Sequence, residues 1–353
     1  MNSPDPAGRR TRLRLGLALG LGLALSTFLG WRLLRRIDLG RVLPLIADAH
    51  VLPLVAMMGS KLVGFLGLTW RVRALLRPFR ELTMGVAFQG QLLGFAANNV
   101  IPFRAGELVK VDYLARRGGD SRSAVLAVAA TERILDALCL LGLFALVSPL
   151  VLPRIGHPGA VAASAVAVAA ASACGWLIAT RAASWVRGFR ALEAWLGLRE
   201  GGRLSGAASS FSLGLAAFRS PGVLASGLAG TVVYWASAFV SVQLCLEAFG
   251  TDTPWYAPAV VLVFLAFGTA LPASPGFVGT YDYFFVAALL VFGVEANRAA
   301  SAALVTHTLS IVPFTIVGFL VVPGSLRELS FRLRSLATPA PAPPAGAAAG
   351  GTS

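Results

Sequence analysis

Polar positions are so sparse along this chain that apolar residues run in windows of about 20, the length a membrane-spanning helix needs. The uninterrupted windows lie near 13–31, 51–70, 124–147, 159–180, 222–249 and 300–322. The first follows Arg9, Arg10, Arg12 and Arg14, as a signal peptide would. Trp31, Arg32, Arg35 and Arg36 come next instead of a small-residue cleavage site, so it is expected to be a retained helix. The Pro-, Ala- and Gly-rich stretch from Thr338 to Ser353 has no apolar period and is expected to be disordered.

Two further apolar stretches, 82–101 and 259–293, are interrupted by Asn98-Asn99-Val100-Ile101-Pro102 and by Leu271-Pro272-Ala273-Ser274-Pro275-Gly276. Proline removes a backbone donor and clashes with the preceding turn, so neither stretch can be one continuous helix. At membrane depth such breaks are tolerated where protein encloses the freed backbone. Cytoplasmic loops collect Lys and Arg. Arg71, Arg73, Arg77 and Arg80 precede the first broken stretch and Arg116, Arg117 and Arg122 follow it, which predicts a hairpin that enters and leaves on the cytoplasmic side.

With 181–219 and the C-terminal basic residues also inside, 259–293 dips in from the opposite face. The predicted fold is an all-α polytopic bundle of about six full spans and two re-entrant broken hairpins. A basic cytoplasmic N-terminus (1–12), a transmembrane domain (13–325) and a cytoplasmic tail (326–353) complete the plan. Arg32, Arg35, Arg36 and Arg41 do not fit it and leave the orientation of the first helix open. Both breaks carry Pro-x-x-x-Gly followed by an acid, Pro102 to Gly106 with Glu107 and Pro275 to Gly279 with Asp282, as an inverted repeat would.

Composition narrows the function classes. Hydrophobic residues make up 56% and charged residues 13% of the 353, well below the charged share of soluble domains, so a soluble enzyme is excluded. The net charge of +14 is almost all Arg, with Lys61 and Lys110 the exceptions, and in so apolar a chain it reports cytoplasmic loops rather than a nucleic-acid surface. Cys139, Cys174 and Cys245 sit inside apolar runs and suggest neither disulfide nor metal site. No phosphate-binding Gly-rich loop or metal-spaced His or Cys cluster is present, and no cofactor is expected.

A charge within a span costs at least about 2.5–3.5 kcal/mol, which makes each one a functional candidate. At the first break stand Asn98, Asn99, Pro102, Arg104, Gly106 and Glu107, with Lys110 and Asp112 behind them. Amides of a helix restarting near Ala105, together with the Arg104 fork, would suit a phosphate. An Arg104–Glu107 pair with asparagine caps is the structural alternative. In the following span Glu132 and Asp136 share a face at i,i+4, where two carboxylates repel unless a cation intervenes; Arg104 or Lys110 would supply it, and Arg133 is expected to point elsewhere. Around the second break lie Pro275, Gly276, Gly279 and Asp282, with Gln243, Glu247 and His307 as further candidates. A lone His is more often a satisfied buried residue than a ligand.

The run Asn98-Asn99-Val100-Ile101-Pro102-Phe103-Arg104-Ala105-Gly106-Glu107, then Glu132-Arg133 with Asp136, then Pro275-Gly276 with Gly279, resembles the flippase-like membrane region of lysylphosphatidylglycerol synthases. The resemblance covers roughly 40–325. It implies a multi-pass protein of the bacterial inner membrane that moves a phospholipid or lipid-linked material between leaflets. No counterpart of the soluble aminoacyl-transfer domain of the full-length synthases is expected, so the aminoacyl-transferase activity is not carried over. Phe277 replaces the second Gly common after Pro-Gly, and Asp282 stands where Glu is usual, so the cargo is expected to differ more than the fold.

These features predict a lipid transporter whose cargo headgroup passes between the broken hairpins. Arg104 and helix N-termini would hold its phosphate, and Glu107, Asp136 or Asp282 any cationic part. The competing expectations are an intramembrane transferase acting on a lipid-linked substrate and a non-transporting partner of a lipid-modifying enzyme.

Overall fold

The computed structural model describes residues 6–79, 81–101, 106–119, 121–155, 220–270 and 273–322, with side chains from Gly20 onward except at 152–155 and 270. Every regular element among them is helical. They are α1 (Pro6–Leu34), α2 (Leu39–Ala47), α3 (Val51–Leu76), α4 (Met84–Val100), α5 (Gly106–Gly118), α6 (Arg122–Ile155), α7 (Pro221–Ala248), α8 (Ala257–Ala270), a 3-10 turn (Pro275–Phe277), α9 (Thr280–Leu290) and α10 (Ala296–Val321).

Helices α3, α6, α7 and α10 are each long and apolar enough to cross a membrane, and Gly20–Leu34 of α1 and Ala257–Thr269 of α8 are shorter apolar segments. The expected span at 159–180 lies outside the described residues, as does the tail from 323 onward. Large side chains such as Leu62, Leu66, Val232 and Leu320 remain exposed on the outer faces. In water that would be a liability, whereas lipid tails solvate such a face. The chain is a multi-pass membrane protein.

Both interrupted stretches fold as pairs of short helices. α4 and α5 pack on each other, as do α8 and α9. None of the four has the roughly 20 residues of a span. α4 stops at Val100 because Ile101 turns extended. Close approach of backbones sets the rest of the bundle. A side chain on Gly230 of α7 would sit 2.7 Å from the Gly67 carbonyl of α3, and α3 and α7 form the most extensive helix pair. Small residues at such crossings replace the hydrophobic driving force that lipid abolishes. α10 packs on α4, α9 and α2, and so touches both broken pairs.

Candidate functional site

At the first break the helix pair closes so tightly that only glycine fits at its start. A Cβ on Gly106 would lie 2.3 Å from the Gly94 carbonyl and 2.4 Å from the Asn98 amide nitrogen. Gly94 in turn leaves room for the stem of Lys110. α5 can therefore press Lys110 and Glu107 against α6.

What results is a charge network across four helices. Arg71 of α3 donates from Nε to Glu132 Oε1 (3.1 Å) and from Nη1 to Asp136 Oδ1 (2.5 Å), with both acceptors on α6. Lys110 Nζ donates to Glu132 Oε2 (2.8 Å) and forms an ion pair with Glu107 Oε2 (2.9 Å). Arg133 reaches Glu107 Oε1 and Asp136 Oδ2, both at 3.4 Å. Trp235 and Thr231 of α7 supply neutral contacts, Trp235 Nε1 donating to Asp136 Oδ1 and Thr231 Oγ1 accepting from Arg71. Arg71, Lys110 and Arg133 balance Glu107, Glu132 and Asp136, so the network is formally neutral. It is graded in exposure. Arg71 and Glu132 are sealed at 1% and 0%, whereas Glu107 and Arg133 are 31% and 51% exposed.

Two expectations change here. Arg71, assigned by its neighbours to the cytoplasmic cluster, is buried and bridges the Glu132–Asp136 pair, jointly with Lys110. Arg133, expected to point elsewhere, closes the network's open rim. The i,i+4 repulsion did require a cation, and helix packing rather than sequence proximity chose it. Pro102 and Arg104 lie outside the described residues. Asp112 bonds Arg116 and Arg122 and ties α5 to the start of α6. Asn99 Nδ2 donates to Thr315 Oγ1 of α10 (2.7 Å), while Asn98 Oδ1 is buried with no hydrogen bond to any of the described residues.

The second break is a compact turn built on positive φ at Gly276 (66°), Phe277 (58°) and Gly279 (82°). Only glycine adopts such angles without strain, and Gly279 is doubly constrained, because a Cβ there would meet the Ser26 carbonyl of α1 at 2.6 Å. Asp282 Oδ2 accepts from the Gly279 amide (3.0 Å) and so caps α9. The positive end of that helix is thereby occupied by the chain's own carboxylate, not left for an anion. His307 of α10 joins the cap, with Nδ1 3.0 Å from Asp282 Oδ1 and Nε2 2.8 Å from the Gly276 carbonyl oxygen. A carbonyl oxygen only accepts, so Nε2 carries a hydrogen, and the contact between Nδ1 and the carboxylate needs a second one shared between them. Tyr281 stacks on the imidazole at 4.2 Å. His307 is thus satisfied, as expected of a lone buried His, but its partners are the break itself. Gln243 and Glu247 bond each other on α7 instead of joining this group.

The two breaks meet. The 3-10 turn packs on α4, and a Cβ placed on Gly276 would be 3.7 Å from the Asn99 carbonyl oxygen. Ser26 of α1 fastens the same turn by accepting from the Ser274 amide (2.8 Å) and bonding Thr280 Oγ1 (3.0 Å). No group of metal-binding side chains occurs among the described residues.

Lys61 of α3 is a charge for which the sequence analysis had no role. Its Nζ donates to Ser310 Oγ of α10 at 2.8 Å, and no carboxylate of the described residues pairs with it. A lysine in the middle of a 26-residue apolar helix was the available signal.

Compared with known families, the chain matches the one described as the lysylphosphatidylglycerol synthase TM region, over residues 19–318. No curated protein matches it.

Proposed function

Because the chain belongs to the lysylphosphatidylglycerol synthase TM-region family, we propose that it is a lipid transporter and not an enzyme. It carries a phospholipid or lipid-linked headgroup between the leaflets of a bacterial cytoplasmic membrane. The observation that supports this most is the meeting of the two helix breaks, with the Gly276 turn against the Asn99 carbonyl inside the bundle. Interrupted helices at membrane depth are stable only where protein or a polar cavity covers their freed groups, and transporters bind cargo at such junctions.

The exposure gradient of the ion network suggests where a headgroup first engages. Arg133 and Glu107 stand at its open rim. A lipid phosphate would replace Glu107 on Arg133, and an amine would replace Arg133 on Glu107. In either case one carboxylate or one cation is released to the other members of the network, which links cargo arrival to the packing of α5 on α6.

The test is leaflet exchange of a fluorescent phospholipid in proteoliposomes, read by quenching of the outer leaflet. Exchange above protein-free vesicles, slowed in Glu107→Gln and Arg133→Gln at equal folded protein, is expected. Folded protein that gives no exchange above the protein-free rate would sink the reading.

A further inference from the structure

The ion network is formally neutral, and the α9 N-terminus is capped by Asp282, whose other oxygen shares a hydrogen with His307. Every cation described in either group already has a carboxylate partner, which a phosphate would have to displace. Lys61 differs. It lies ten residues into α3, about 15 Å along the helix at 1.5 Å per residue. That is half the roughly 30 Å hydrocarbon core, too deep for its stem to carry the ammonium to the headgroups as lysines near helix ends do.

Its surroundings leave it reachable and undersupplied. An ammonium has three hydrogens to donate, and one goes to Ser310 Oγ, which passes its own hydrogen to the Thr306 carbonyl (2.5 Å). Lys61 and Ser310 are both only part-buried. α3 packs mainly on α7, and α10 on α4 and α9, while Lys61 and Ser310 join α3 to α10 through their side chains. One turn along the same seam, Phe65 stacks on Phe314 at 5.3 Å and closes it with an aromatic wall. On the same helix as Ser310, His307 stacks on Tyr281 of α9, and Thr306 donates to Cys245 of α7 at 2.8 Å. Among the described residues, the polar groups that act on Lys61 are the Ser310 hydroxyl and the Cys245 thiol.

We propose that Lys61, with Ser310, forms a mid-membrane binding site for a phosphate anion, the group an anionic phospholipid carries. This deepens the transport reading by giving the cargo phosphate, after Arg133 at the rim, a cation midway across that no described carboxylate holds. Mid-depth is where a charged headgroup is least stable in lipid, so a cation there that no described carboxylate pairs lowers the central barrier.

The test is binding to the purified full-length protein in detergent, with dioctanoyl phosphatidylglycerol, dioctanoylglycerol and inorganic phosphate as separate probes. Dioctanoyl phosphatidylglycerol is expected to bind and dioctanoylglycerol not to. Lys61→Gln should weaken the lipid about tenfold, the scale of one hydrogen bond to a charged group. Lys61→Arg should restore it, and Ser310→Ala, which removes the hydroxyl that holds the ammonium in place, should weaken the lipid less than Lys61→Gln does. Inorganic phosphate binding with the same Lys61 dependence, and no lipid binding, would identify the free ion as the ligand of the site. Equal affinity of Lys61→Gln and wild type for both phosphate-bearing probes overturns the proposal, as does loss of binding in Lys61→Arg equal to that in Lys61→Gln. Binding is read without leaflet exchange. Lys61-dependent binding in a protein that exchanges no lipid would overturn transport alone, and exchange with Lys61-independent binding would overturn the site alone.

Discussion

Arg71 and Asp136 lie 65 positions apart in the chain and 2.5 Å apart at their nearest polar atoms. The contact depends on α7 as much as on the two helices that carry the residues. A Cβ on Gly230 would fall 2.9 Å from Arg71 Cβ, so only a glycine lets α3 settle deep enough for the guanidinium to span Glu132 and Asp136. The interhelical crossing and the charge network are one structure.

Replacing Arg71 by Met should therefore destabilise strongly. It leaves Glu132 and Asp136 buried with less positive charge than they need, and removing one partner of a buried pair costs about 3–5 kcal/mol. Thermal unfolding in detergent should show a large drop. The triple variant that adds Glu132→Gln and Asp136→Asn should recover much of it, because neutral partners need no cation. Equal stability of Arg71→Met and wild type would mean the network is not a structural unit.

Gly106→Ala should destabilise by about 1–3 kcal/mol, the usual cost of forcing a methyl group into a packed site. The obstacles are backbone atoms, the Gly94 carbonyl and the Asn98 amide, which cannot rotate away. Gly59 is the control: nothing lies within 4 Å of a Cβ there, so Gly59→Ala in mid-α3 should be neutral or slightly stabilising. Comparing the unfolding temperatures of the two variants separates crowding at the break from a general effect of removing glycine.

The features legible in the sequence are those enforced locally. Proline chemistry marked both breaks, and the α4–α5 and α8–α9 pairs follow from it. The Glu132–Asp136 spacing announced that a cation was needed. Lys110, one of the two cations named for it, does pair with Glu132, whereas the share of Arg71 was hidden because it adjoins Arg73 and Arg77, and one-dimensional counting gave all three the same role. Helical phase separates them, since Arg71 falls four residues after Gly67 on the face that α7 covers. The His307–Asp282 contact was illegible for another reason. Its partners are 25 residues apart on different helices, and only the return of α10 past the turn brings them together.

Glu295 offers a pH-dependent test outside the spans. It caps α10, with Oε2 accepting from the Arg298 amide (2.9 Å) and Oε1 from Asn297 Nδ2 (2.6 Å). Desolvation acts to raise its carboxyl more than any one partner lowers it, but the hydrogen bonds from Asn297 and Arg298, with the charge of Arg41, together outweigh it and hold the group below its ordinary value. A depressed carboxyl stabilises the fold above its unfolded value, and the contribution fades as pH falls through the folded one. Glu295→Gln should thus cost about 0.5 kcal/mol near neutrality, the low end for losing a cap. The gap to wild type should close in acid, and a gap that stayed constant down through the carboxylate range would contradict the assignment.

His307→Ala should loosen the second break more than any other single truncation on α10. It removes the donor to the Gly276 carbonyl and the partner of Asp282 together, and it uncovers the ring face of Tyr281. A buried acceptor left unsatisfied costs about 1–3 kcal/mol, and here it belongs to a turn already strained by positive φ at Phe277. Amide hydrogen exchange over 274–282 should rise, with α3 and α7 little affected, since neither contributes to the cap. His307→Gln keeps one amide donor and should fall between the two. If exchange rose equally across the bundle, His307 would be a general packing residue, and the break would owe its shape to Ser26 and the glycines alone.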